Sequence, residues 1–236
     1  MVGNNYGTDT ESELDVELMS QTNSNADLWF WDESDWLYSF AVKFFNTKRV
    51  PDIISMSWGW SERDQCTIAK CTNVSSRQYI ERVNNEYAKL ALRGITITVS
   101  SGDAGAPGRT NEVCDKENPV NPVFPGSSPW VTSVSGTFVE DGPLLANRVE
   151  TPLCRKFGCV NGSLELPTNF NDVGWTTGGG FAIYDTETRP KWQESVVSSY
   201  LQSNITLPNR FNRKGRGYPD VSAIGHNCPV VEVQNL

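Results

Sequence analysis

The sequence predicts an α/β domain, a parallel sheet flanked by helices, and three observations carry this. Asp52–Trp58 (DIISMSW) and Ile95–Ser100 (ITITVS) are nearly uncharged, β-rich runs of strand length. Ser75–Arg93, between them, repeats apolar residues at helical spacing. The connections are tight, and strand, helix, strand in that order makes a βαβ unit with parallel strands and helices on the sheet faces.

Each element has its own local reason. Asp9–Ser20 reads as a short helix with Thr8 or Asp9 as N-cap. Ser34–Thr47 reads as a second, with Trp36, Phe40 and Phe44 at i, i+4, i+8 and Leu37, Ala41 and Phe45 beside them. Asp52–Trp58 is expected to be a buried strand ended by Gly59. The Ser75–Arg93 helix places Ile80, Val83, Tyr87 and Ala91 on one stripe, with Gly94 at the C′ position. Val131–Val134 reads as another short strand. A loop-rich region with Gly178–Gly180 leads to a helix over Pro190–Ser203, with proline in its first turn. No repeat, low-complexity stretch or linker divides residues 1–236, so one domain is expected.

Composition narrows the function classes. The net charge of −8 is spread along the chain, which argues against a nucleic-acid partner, since that needs a basic stripe. No apolar run reaches the ~20 residues of a membrane-spanning helix, and no basic start with an apolar core marks a signal peptide. Six cysteines and one histidine, His226, make a zinc site hard to build. Cys66/Cys71 and Cys154/Cys159 each close a short polar loop, as small surface disulfides do, but the pairing of all six stays open. Sequons begin at Asn73, Asn161 and Asn204; with an even cysteine count they favour a secreted or lysosomal protein. Trp29, Trp31 and Trp36 cluster among the eight tryptophans; they read as packing against the Ser34–Thr47 helix, or alternatively as a sugar- or partner-binding surface.

Two segments carry the elements of a catalytic site. On the first helix, at about 100° per residue, Leu14, Asp15 and Leu18 fall within about 60° of Glu11. Glu13 and Glu17 point away. Two carboxylates on an apolar stripe, about 5–6 Å apart at Cβ, are able to share a proton and act as a tuned general base. The competing reading is a helix with acids all round, favoured by the dipole near its start. The second segment is Ser100-Ser101-Gly102-Asp103-Ala104-Gly105, directly after the ITITV strand. The carboxyl end of a parallel strand is where α/β folds place their sites. Asp103 there is either a reactive acid or the start of an Asx-turn.

Six strings in order resemble the sedolisin, or serine-carboxyl peptidase, family: ESELDVELMS (11–20), SMSWGW (55–60), SSGDAGAPG (100–108), FPGSSPWVTSVSGT (124–137), TGGGF (177–181) and GRGYPDVSA (215–223). The motifs are closest to its tripeptidyl peptidase-like members. The resemblance implies a subtilisin-like fold, here an incomplete domain. It also implies an acid-acting endopeptidase or tripeptidyl peptidase. By position, Glu11 matches the family's general base, Asp15 the acid that orients it, and Asp103 the oxyanion-hole acid. Ser57, Trp58 and Gly59 match the segment that pairs with extended substrate, and Ser101 and Gly102 a wall of the specificity pocket.

The family's nucleophile lies in a Gly-Thr-Ser-x-Ser-x-Pro segment after YPDVSA, and no such string occurs in these residues. The expectation is therefore that the serine belongs to a missing C-terminal chain or segment, and that this chain alone is inactive. Ser135-Gly136-Thr137 is followed by Phe138 and is not taken for it. His226, in a polar GHNCP context, reads as a surface-loop residue rather than a base. The family's calcium segment is likewise not found, so no cofactor is expected in this chain. The expected partner is a peptide or protein substrate. The alternative is a catalytically inactive homologue that keeps the cleft as a peptide- or protein-binding module.

Overall fold

The computed structural model describes residues 10–109, 120–140, 164–184 and 189–228. The Asn161 sequon, Cys114, Cys154, Cys159 and the proposed N-caps Thr8 and Asp9 lie outside the described residues.

The predicted βαβ unit is the centre of the molecule. β1 (Ile53–Met56) pairs in parallel with β3 (Thr96–Ser100), in the register Ile53 to Thr96 through Met56 to Val99. β3 pairs in parallel with β5 (Thr132–Glu140). β5 is longer than the expected Val131–Val134 because two further strands use it. β9 (Val221–Ile224) runs parallel along Val134–Thr137, and β6 (Leu164–Pro167) antiparallel along Thr137–Glu140. Two small antiparallel pairs flank this sheet: β2 (Trp60–Ser61) with β4 (Val123–Phe124), and β7 (Gly180–Phe181) with β8 (Gly217–Tyr218).

Between β1 and β3 runs α4 (Ser76–Leu92), after a short α3 (Gln65–Ile68). Its start is a full capping box: the Gln78 N–H donates to Ser75 Oγ, and the Ser75 N–H donates to Gln78 Oε1. Arg93 closes the helix and Gly94 follows at φ +81°, the left-handed turn that favours glycine. Ile80, Val83, Tyr87 and Leu90 form the buried stripe. Ala91, expected on it, is exposed, and Leu90 takes the place. Because 3.6 residues per turn drifts against the seven-residue spacing, the contact face has rotated by the last turn. Burial pushes the Tyr87 phenol up, and that of Tyr79 up to about 12.

α2 (Trp36–Asn46) crosses α4 and buries Leu37, Ala41 and Phe44 at i, i+4, i+7. Trp31 packs on Phe40 and Phe44 with ring centroids 5.8 and 5.6 Å apart, and Trp36 Nε1 donates to Gln65 Oε1 at 3.0 Å. These two tryptophans belong to the packing around α2, as the first of the two readings has it. Cys66 and Cys71 are bonded, with Cα atoms 4.9 Å apart. The expected buried strand over Asp52–Trp58 is shorter and only partly buried. Ile54 faces the core, while Ile53 is 60% exposed and Ser57–Gly59 leave the ladder. Among the described residues β1 is an edge strand, with β3 on one side only. The helix expected over Pro190–Ser203 begins as a 3₁₀ turn, Lys191–Gln193, capped by Pro190, and continues as the last helix, Glu194–Gln202.

Candidate active site

The segment that carries Asp103 leaves the carboxyl end of β3 and is tied down by a run of backbone hydrogen bonds. The Ser101 N–H donates to Val134 O at 2.8 Å, and the Gly178 N–H to Gly102 O at 2.6 Å. The Thr176 N–H donates to Asp103 O at 3.1 Å, and the Gly105 N–H returns to Thr176 O at 3.0 Å. Such an approach leaves no room for side chains. Gly102 sits at φ +105°, and a Cβ on Gly178 would lie 2.0 Å from Ser101 O. Gly178→Ala is therefore expected to cost about 3 kcal/mol of stability, as overpacking of backbone against backbone does. A lowered urea midpoint measures it; an unchanged midpoint would mean the two loops do not touch.

Opposite this loop, Ser57–Trp60 run from the end of β1 into β2. A Cβ on Gly59 would meet Val123 Cγ1 at 2.8 Å, and one on Gly102 would meet Val123 Cγ2 at 3.2 Å. Val123 of β4 is thus the wedge between the two glycine loops, held by its own N–H donating to Tyr218 Oη at 2.8 Å. The space between the loops is a cavity of about 260 Å³.

α1 (Thr10–Thr22) closes its third side. Ser57 Oγ donates to Asp15 Oδ1 at 2.8 Å, which fixes the helix to the Ser57–Gly59 loop. One turn earlier on the same helix, Glu11 lines the cavity, as do Asp103, Ser57, Trp58, Gly59 and Gly102. Three chain segments therefore deliver Glu11, Ser57 and Asp103 to one space. The inward stripe expected of α1 is only partly realised. Asp15, Leu14 and Leu18 are half-buried, Glu11 is exposed at the cavity mouth, and no residue of α1 is fully buried. Glu13 and Glu17 are half-buried as well, so the two faces differ less than the helical wheel implies. Ser101 lies behind the cavity: it is 1% exposed, and its Oγ is 3.3 Å from Thr177 Oγ1.

Several groups here were not singled out in the sequence. Thr177 Oγ1 is a hub, 2.8 Å from Ser135 Oγ, and accepts from the Gly136 N–H at 2.9 Å. Glu62 is fully buried behind β2 and accepts from the Ile183 N–H at 2.8 Å. Arg109 lines the cavity, and its Nη2 donates to Asp103 Oδ2 at 3.1 Å. Arg109 left a readable trace, a cation directly after the glycine-rich SSGDAGAPG string, and Thr177 opens the TGGGF string; Glu62 matters through contacts no local pattern encodes.

Ser135 and Thr137 are buried inside β5, and His226 is half-buried beyond β9 with its ring edge-on to Phe138 at 6.5 Å. None of them lines this cavity. Among the described residues no cluster of three or more His, Cys, Asp or Glu side chains is placed to hold a metal ion. No helix among the described residues is long and apolar enough to cross a membrane.

No protein-family model matches the chain. It is 42% identical over 228 residues to Physarolisin of Physarum polycephalum, covering 93% of this chain and 39% of that protein. It is 29% identical over 229 residues to Tripeptidyl-peptidase 1 of Homo sapiens, covering 94% of this chain and 34% of that protein. The chain thus spans well under half the length of these relatives. Among solved structures it resembles Pseudomonas sedolisin, a serine-carboxyl proteinase complexed with two molecules of pseudo-iodotyrostatin. That likeness has a TM-score of 0.59 at 22% identity and covers 94% of this chain and 54% of the other. It carries the fold: the mostly parallel, helix-flanked sheet is the subtilisin-like arrangement expected.

Proposed function

The chain belongs to the sedolisin, or serine-carboxyl peptidase, family, and we propose that it is the acid-bearing part of an acid-acting serine-type peptidase, an endopeptidase or tripeptidyl peptidase. The observation that supports this most is that Glu11 from α1 and Asp103 from the end of β3 line one cavity, with Asp15 bonded across it to Ser57.

In this reading an extended peptide lies against Ser57, Trp58 and Gly59, and Ser101 and Gly102 back the specificity pocket. A serine hydroxyl, which we assign to sequence outside these 236 residues, attacks the scissile carbonyl carbon. Its proton passes to Glu11, held in place by Asp15. The carbonyl π electrons move to oxygen, and Asp103 donates a hydrogen bond to the O⁻ that forms. A carboxylate has no proton to donate, so Asp103 works only in its acid form, and Glu11 only in its charged form. The C–N bond then breaks as Glu11 returns the proton to the leaving amine, and water repeats the sequence on the acyl-enzyme. Acid activity follows from these two opposite protonation demands.

The exposed sequon residues Asn73 and Asn204 support glycosylation at those asparagines, the Asn161 sequon adds a third site by sequence alone, and the Cys66–Cys71 disulfide supports a secreted or lysosomal location. The test of activity is turnover of fluorogenic peptides by the natural gene product, with whatever sequence flanks these residues. Cleavage at about pH 4 that disappears toward pH 7 is expected. Peptide binding without turnover across that range would sink the peptidase reading in favour of a binding module.

A further inference from the structure

We infer that Arg109 is a specificity-determining residue that seats an acidic side chain of the peptide in the cavity shared with Asp103. The inference rests on the peptidase reading above. Among the described residues that line the cavity, Arg109 is the lone cation, and it shares that lining with the carboxylates Glu11 and Asp103. Its guanidinium is placed from two sides. Nη2 donates to Asp103 Oδ2 at 3.1 Å, and the guanidinium carbon lies 5.9 Å from the centroid of the Trp60 ring.

What happens to that arrangement under working conditions follows from chemistry. Arginine keeps its charge at every pH in question. Asp103, to donate to an oxyanion, must give up its negative charge, and with it the ion pair. The working state therefore leaves a cation in a peptide-binding cleft without its partner from the resting state. A substrate glutamate or aspartate supplies the same group that Asp103 Oδ2 presents at rest, a carboxylate oxygen within hydrogen-bond reach of Nη2. The two compete for one guanidinium, so an acidic peptide displaces Asp103 from it. The ligand class is an acidic peptide, and the pair sits at the surface: the side chains of Arg109 and Asp103 are 59% and 57% exposed. The gain is that of a partly screened ion pair.

The test uses the natural gene product and peptides identical except for Glu, Gln or Lys at one position, that position being walked along the peptide. At one position Glu is expected to exceed Gln by about fivefold in kcat/KM. The preference should vanish in about 1 M salt, and below about pH 4, where the substrate carboxyl is protonated. Arg109→Gln should erase the ratio, Arg109→Lys should keep part of it, and Arg109→Glu should turn it toward Lys. Equal rates for Glu and Gln at every position, or a preference that survives Arg109→Gln, would overturn the assignment while leaving the peptidase reading intact. If no peptide is cleaved, the peptidase reading falls. Tryptophan-fluorescence titration with the same peptides then decides the acidic subsite: tighter Glu than Gln binding lost in Arg109→Gln supports it, and parity overturns it.

Discussion

Glu11→Gln in the natural gene product is expected to lower kcat for peptide hydrolysis by about 10²–10⁴-fold, the range a positioned general base contributes. Glutamine keeps the shape of the side chain at the cavity mouth but removes its negative charge and its ability to take a proton. KM should therefore change little, because the proposed mechanism assigns the ground-state contacts with the peptide to Ser57–Gly59. Stability should be nearly unaffected: Glu11 is exposed, and α1 is fastened through Asp15 and Ser57. Unchanged kcat in a variant with wild-type melting behaviour would remove Glu11 from the mechanism. Asp15→Asn makes a useful contrast. Its effect should combine reduced kcat with loosened docking of α1, since the Ser57 hydroxyl donates to that carboxylate.

Asp103→Ala is expected to lower kcat by about 10²–10³-fold, the cost of one oxyanion-hole donor. The donor matters only once the carbonyl oxygen carries charge, so the loss should fall on kcat rather than KM. The loop itself should stay in place, because it is held by the backbone bonds of Ser101, Gly102, Asp103 and Gly105 and not by the Asp103 side chain. A variant that keeps the wild-type rate would refute the oxyanion role.

Much of the frame is legible in the sequence because it is written at short range. The α4 boundaries follow from a capping box and a glycine stop, both within a few residues of the helix ends. β3 follows from a β-branched run, and the parallel pairing of β1 with β3 from the tight strand–helix–strand order. Other elements depart from their local pattern where their environment decides. DIISMSW has the composition of a buried strand, yet Ile53 is exposed because burial depends on what lies on both sides of β1. The extra length of β5 comes from β6 and β9, whose partners are distant in the chain.

For the candidate site, residue type and spacing mark Glu11, Asp15 and Asp103 as candidates on the first helix and past a strand end, and the roles proposed for them come from the resemblance. Tertiary structure alone decided that Glu11 stands at the mouth rather than inside, that Asp15 meets Ser57, that Val123 separates two glycine loops, and that Arg109 sits on Asp103. The division has one physical cause. Helical and strand periodicity are properties of neighbours along the chain, whereas depth, ion pairing and cavity shape arise only when distant segments exclude water together.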